Sequence, residues 1–89
     1  MKIAVCDDDR ATREHIVSLV RKQEPDAEVM TFETGEEMIK SQENFAVSFL
    51  DVEMKELSGI DVAKHIRKEQ EKRGESSLGK NILFEKKDE

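Results

Sequence analysis

The chain has 89 residues, room for one small domain, and 40% of them are charged against 36% hydrophobic, which is lean for building a core. The formal net charge of −6, with no dense Lys/Arg cluster, argues against a nucleic-acid footprint. A single cysteine excludes an intramolecular disulfide and a cysteine-rich zinc site, and there is neither a membrane-length apolar stretch nor a secretory leader, so the expectation is a cytoplasmic protein without membrane contact.

Residues 2–6 are a β-branched apolar run bounded by charge, as suits a buried parallel strand, with Cys6 as a small buried hydrophobe. Residues 10–23 read as an amphipathic helix carrying Ile16, Leu19 and Val20 on its apolar stripe, capped by Asp8 or Asp9 and stopped before Pro25. Residues 28–32 make a weak, edge-like second strand. Thr34-Gly35-Glu36-Glu37 is a capping box that opens a short helix ending near residues 42–44. A third strand is expected over 45–50. Ser58-Gly59-Ile60-Asp61, a second capping box, opens a helix to about residue 68 with Val62, Ala63 and Ile66 facing inward. Residues 1–68 therefore form a βα core. Residues 69–89 read as a polar loop, a short fourth strand at 82–84 and a charged tail.

Alternating strands and helices at this spacing mean a parallel sheet with helices on its faces, an α/β fold. In an open sheet of this kind, ligands sit at the carboxyl ends of the strands, where the strand order reverses. Two of those ends are acidic. Ile3-Ala4-Val5-Cys6 runs into Asp7-Asp8-Asp9, and Phe49-Leu50 runs into Asp51. A carboxylate ending a buried strand is costly unless it meets water or a cation, so Asp51 is a ligand, a nucleophile or a turn cap. If the first and third strands are neighbours, Asp7, Asp8 and Asp51 converge. Three converging carboxylates repel unless a cation joins them or a proton is shared, and an all-oxygen set suits Mg²⁺, which leaves coordination positions for a phosphoryl donor. His15 and His65 lie on helices without ligand partners.

The pattern resembles the receiver domain of two-component response regulators. The residues that carry the resemblance are Lys2-Ile3-Ala4-Val5-Cys6-Asp7-Asp8-Asp9, Phe49-Leu50-Asp51-Val52-Glu53-Met54, and Leu57-Ser58-Gly59-Ile60-Asp61-Val62-Ala63. The second block is most similar to receivers that precede LytTR-type DNA-binding domains. The resemblance implies a flavodoxin-like, doubly wound parallel sheet in the order 2-1-3-4, here without the fifth strand and last helix of the family, as in a C-terminally truncated receiver. It implies Asp51 as phosphoacceptor, Asp8 as a direct Mg²⁺ ligand, Asp7 acting mainly through water, and the backbone carbonyl of Glu53 completing the metal site. It implies a sensor histidine kinase as partner, and a signalling switch in place of a turnover enzyme.

Departures from the family pattern bear on activity. The Ser/Thr at the end of the family's fourth strand falls near Glu85 or Lys86, the fifth-strand lysine has no counterpart, and Lys55 stands where the family often has proline. Phosphotransfer is therefore expected to be impaired, and the alternative is a non-phosphorylatable remnant that acts only as a protein-interaction module. The absent last helix uncovers Ile16, Leu19 and Val20, which a homodimer or a swapped segment would cover. Two other readings fail. A haloacid dehalogenase-type phosphatase motif would need its threonine one residue before Thr12, and a calcium loop starting at Asp51 meets Lys55 and Glu56 where a ligand and a glycine belong.

Overall fold

Every strand and helix expected from the sequence is present in the computed structural model, which describes residues 1–54, 58–72 and 80–85. In chain order these are β1 (Lys2–Cys6), α1 (Arg10–Gln23), β2 (Glu28–Phe32), α2 (Gly35–Ser41), β3 (Val47–Asp51), α3 (Gly59–Lys72) and β4 (Lys80–Phe84). The four strands form one parallel sheet in the order β2-β1-β3-β4, the order expected from the sequence. β2 is an edge strand, as its weak pattern indicates.

Helix ends follow local chemistry. Asp9, in extended conformation, caps α1 by accepting the Thr12 N–H at 3.1 Å, so of the two candidate caps it is Asp9 that serves and Asp8 that is spared. α1 stops at Glu24, whose N–H bonds Val20 O, immediately before Pro25. Thr34 caps α2 through the Glu37 N–H at 3.1 Å, and Gln42 closes that helix in the left-handed region with φ 54°. Ser58 Oγ accepts the Asp61 N–H at 3.3 Å and donates to Asp61 Oδ2 at 3.2 Å, so the second capping box also forms.

Three boundaries differ from the sequence reading. β3 covers Val47–Asp51, starting two residues later than expected, because its ladder with β1 begins at Ile3↔Val47; Phe45 instead stacks edge-on against Phe32 at 5.8 Å. Asp51 is thereby the last residue of the strand, in register with Phe84. α3 continues to Lys72, since Lys68 to Lys72 are straight-chain helix formers that extend the helix without an apolar stripe. β4 starts at Lys80, whose N–H bonds Ala46 O at 2.9 Å and lengthens the ladder. Lys55, the stretch 73–79 and the tail residues Lys86 and Lys87 lie outside the described residues.

The core is asymmetric about the sheet. On the α2/α3 side, Ala4, Cys6, Phe32, Met38, Leu50, Met54 and Val62 form one buried cluster. On the α1 side, Ile3, Val5 and Val20 are buried, but Ile16 is only half-buried and Leu19 is 48% exposed. The thin cover expected along α1 is thus found at Leu19 and Ile16 but not at Val20.

Candidate functional site

β1 and β3 are adjacent, and the strand order reverses between them, so their carboxyl ends share one crevice. Asp7 follows β1 directly and Asp51 ends β3; both are fully buried, and Asp8 is half-buried at their rim. One carboxylate oxygen from each of Asp7, Asp8 and Asp51 lies within 4.8 Å of the other two. The convergence expected from the sequence is therefore present in the fold.

Both acidic loops are built on the same local device. Asp7 Oδ1 accepts the Asp9 N–H at 2.9 Å, and Asp51 Oδ1 accepts the Glu53 N–H at 2.9 Å. Each is a turn in which an aspartate bonds the backbone two residues on, and each fixes the rotamer of its carboxylate. Glu53 itself is exposed, in the turn after Asp51. β2 holds the first loop from the other side, through the Asp7 N–H to Phe32 O at 3.1 Å.

Two further residues shape the crevice and escape a reading of motifs. Arg13 Nη1 donates to the Asp7 backbone carbonyl at 2.7 Å, tying α1 to the first acidic loop and bringing a cation beside the carboxylates. Its position six residues after Asp7, one turn into the helix, is the only sequence signal. Gly59 is the second. A Cβ there would lie 2.6 Å from Asp51 O and 3.0 Å from Leu50 Cβ, so the first turn of α3 rests directly on the backbone that carries Asp51. From sequence Gly59 reads as an ordinary turn glycine; its close approach depends on a partner eight residues away.

Beneath the carboxylates the Cys6 thiol donates to Met54 Sδ at 3.5 Å. Burial, followed by the negative charge of Asp7, pushes the thiol up to about 12, so Cys6 is a neutral floor to the site. His15 and His65 are exposed and stand outside the acidic cluster.

The donor set fits a hard divalent cation. It is all oxygen and anionic, two of the three carboxylates are removed from water, and their spacing brings three oxygens around one small volume.

The response regulator receiver domain family matches residues 3–75 of this sequence. The chain belongs to that family. Among solved structures, this receiver is similar to the response regulator TrrA of Thermotoga maritima in complex with Mg²⁺-BeF, at 35% identity and TM-score 0.75, covering 94% of this chain and 68% of that one. It is similar also to TrrA in complex with the histidine kinase ThkA, at 33% identity and TM-score 0.74, covering 99% of this chain and 71% of that one. A third is DrrB of the same organism, an OmpR/PhoB homologue, at 30% identity and TM-score 0.76; the receiver covers 99% of its own length but only 36% of the DrrB chain. No curated protein matches the sequence. As a receiver of two-component signalling, the chain has its acidic crevice at the strand ends where the fold positions ligands.

Proposed function

We propose that the chain is a phosphoacceptor receiver in which Asp51 takes a phosphoryl group from the phosphohistidine of a sensor kinase. The observation that carries this is the buried Asp51 at the end of β3, within 4.8 Å of Asp7 and Asp8 and with its carboxylate oriented by the Glu53 N–H. Asp51 attacks phosphorus in line, a bond from its carboxylate oxygen to phosphorus forms, and the phosphorus–nitrogen bond to the donor imidazole breaks. Asp8 would hold Mg²⁺ directly and Asp7 mainly through water, with Asp51 and the Glu53 carbonyl as the remaining protein ligands. Bound there, the cation offsets charge on the transferring phosphoryl oxygens. The structures of TrrA with Mg²⁺-BeF, a tetrahedral mimic of a phosphoryl group, and with ThkA support the same cofactor and the same class of partner. The chain is a switch in place of a turnover enzyme, acts in the cytoplasm, and is of the LytTR-associated type that the Phe49–Met54 block resembles.

Transfer is slow in this reading. The β3–β4 register brings Phe84, then the exposed Glu85, alongside Asp51, and neither has the hydroxyl with which family members hold a phosphoryl oxygen. Loss of one such donor costs about 10²–10³ in rate at comparable sites. The same observation favours a second reading, a receiver that takes no phosphate and acts only as an interaction module. The half-clothed α1 face would in either case be covered by a second protomer or a swapped segment.

Intact-mass measurement after incubation with acetyl phosphate and Mg²⁺ separates the two. A single phosphate adduct that disappears in Asp51→Asn is expected; no adduct at any donor concentration, with Mg²⁺ still bound, would leave the interaction module.

A further inference from the structure

We infer that Arg13 is a positioning residue for the first acidic loop: by holding the Asp7–Asp8 peptide from α1, it sets where the Asp8 carboxylate stands. This deepens the proposed function and rests on that reading only for the cation that the loop would hold.

The ladder between β1 and β2 shows what Arg13 replaces. The Glu28 N–H donates to Met1 O and the Asp7 N–H to Phe32 O, so Glu28, Met30 and Phe32 are the β2 residues that direct their amide groups at β1. The next donor in that series belongs to residue 34, and its acceptor would be Asp7 O. The strand ends at Phe32, however, and Thr34 is already the N-cap of α2. Arg13 Nη1 meets Asp7 O at 2.7 Å in the place where the ladder gives out. A charged donor makes one of the stronger hydrogen bonds a carbonyl can accept. Asp7 is fully buried, where such a bond is costly to lose.

The bond acts on Asp8. Asp7 O belongs to the same planar peptide unit as the Asp8 N–H, so fixing the one fixes the direction in which Asp8 leaves the backbone. On the far side of Asp8, the Asp9 N–H is held by Asp7 Oδ1 at 2.9 Å, and Asp9 O accepts the Arg13 backbone N–H at 3.0 Å. Arg13 therefore grips both flanks of Asp8, by its side chain at residue 7 and by its main chain at residue 9. Asp8 is half-buried at the rim, with less packing around it than Asp7 or Asp51, so the backbone hold counts most there.

Charge and position pull in opposite directions. A cation beside three carboxylates repels an incoming Mg²⁺, so its removal would tighten binding if charge were all that Arg13 supplied. The guanidinium is felt at the Cys6 thiol beneath the site, but it ranks last there, behind burial and the charges of Asp7, Glu37 and Asp51. Position outweighs charge, and loss of Arg13 weakens Mg²⁺ binding.

The test uses Arg13→Met, of similar reach but without donor or charge, and Arg13→Lys, which keeps a charge and a shorter-reaching donor. Arg10→Met is the control: that side chain is 83% exposed, pairs with Glu14 at 3.0 Å, and takes a cation from the same end of α1. Calorimetric titration with Mg²⁺, on protein folded by circular dichroism, should give a dissociation constant raised about tenfold in Arg13→Met. The rise should be smaller in Arg13→Lys and nil in Arg10→Met. In EDTA, amide exchange by NMR should quicken at Asp9 in Arg13→Met, while the Glu53 N–H, held by the matching turn on Asp51, keeps its wild-type rate. Arg13→Lys carries the same comparisons should the methionine variant fail to fold. Mg²⁺ bound as tightly as by the wild type or tighter, or Asp9 and Glu53 amides quickened alike, would overturn the proposal. The exchange comparison needs neither metal nor phosphate. A wild type that takes up no Mg²⁺ would therefore remove the proposed cofactor, while the role of Arg13 is still decided at the Asp9 amide.

Discussion

At the scale of single residues the site is a problem of repulsion. Asp7, Asp8 and Asp51 are held together by turns and strand ends with or without a cation, so their mutual charge opposes folding. Asp8 is the half-buried member, where an amide is tolerated most easily. Asp8→Asn should therefore raise the melting temperature in EDTA, by a few degrees for a relief of about 1 kcal/mol, while abolishing the further rise that Mg²⁺ gives the wild type. Thermal melts of both proteins with and without Mg²⁺ check this, and an Asp8→Asn that still gains stability from Mg²⁺ would remove Asp8 from the metal site. Cys6 gives a second test. Fully buried and with its thiol pushed up to about 12, it should resist maleimide at pH 7.5 in the folded chain and react at once in guanidinium, as intact mass will show.

At the scale of elements, how much could be read in advance depended on the range of the signals. Caps, stripes and the proline stop are interactions within a few residues, and α1, α2, β1 and β2 follow their expected bounds closely for that reason. The ends of β3, α3 and β4 depend on ladders and helix propagation that a pattern of apolar residues does not mark. The acidic residues could be found because both strand ends announce them. Arg13 and Gly59 could not, because each acts through backbone brought near only by the fold. Gly59→Ala tests the tightest of these contacts. A methyl 2.6 Å from Asp51 O must push α3 off β3 or displace Asp51, so a loss of about 1–3 kcal/mol in urea unfolding is expected, together with weaker Mg²⁺ affinity. Stability lost with affinity unchanged would show that α3 yields without moving the site. Along α1, Val20→Ala should cost more than Leu19→Ala, because only Val20 is buried, and denaturation midpoints of the pair will rank them.

At the scale of the molecule, one face of the sheet is well clothed and the other thinly, in a chain carrying 21 acidic side chains against 15 basic ones. Such a domain has little stability to spare, since small domains bury barely enough apolar surface to offset chain entropy. Its folding should therefore be unusually sensitive to whatever binds the native state alone. A divalent cation joining Asp7, Asp8 and Asp51 needs strand ends that only the folded sheet brings together, and at a hundred times its dissociation constant it adds about 2.7 kcal/mol. Sodium chloride of equal ionic strength screens the net charge of −6 but gains nothing from that geometry. Mg²⁺ should thus raise the urea midpoint well beyond matched NaCl in the wild type, and no more than NaCl in Asp51→Asn if its carboxylate is an indispensable ligand. Equal midpoints in the two salts for the wild type would mean that the crevice screens charge without coordinating a metal, and the proposed phosphotransfer would lose its cofactor.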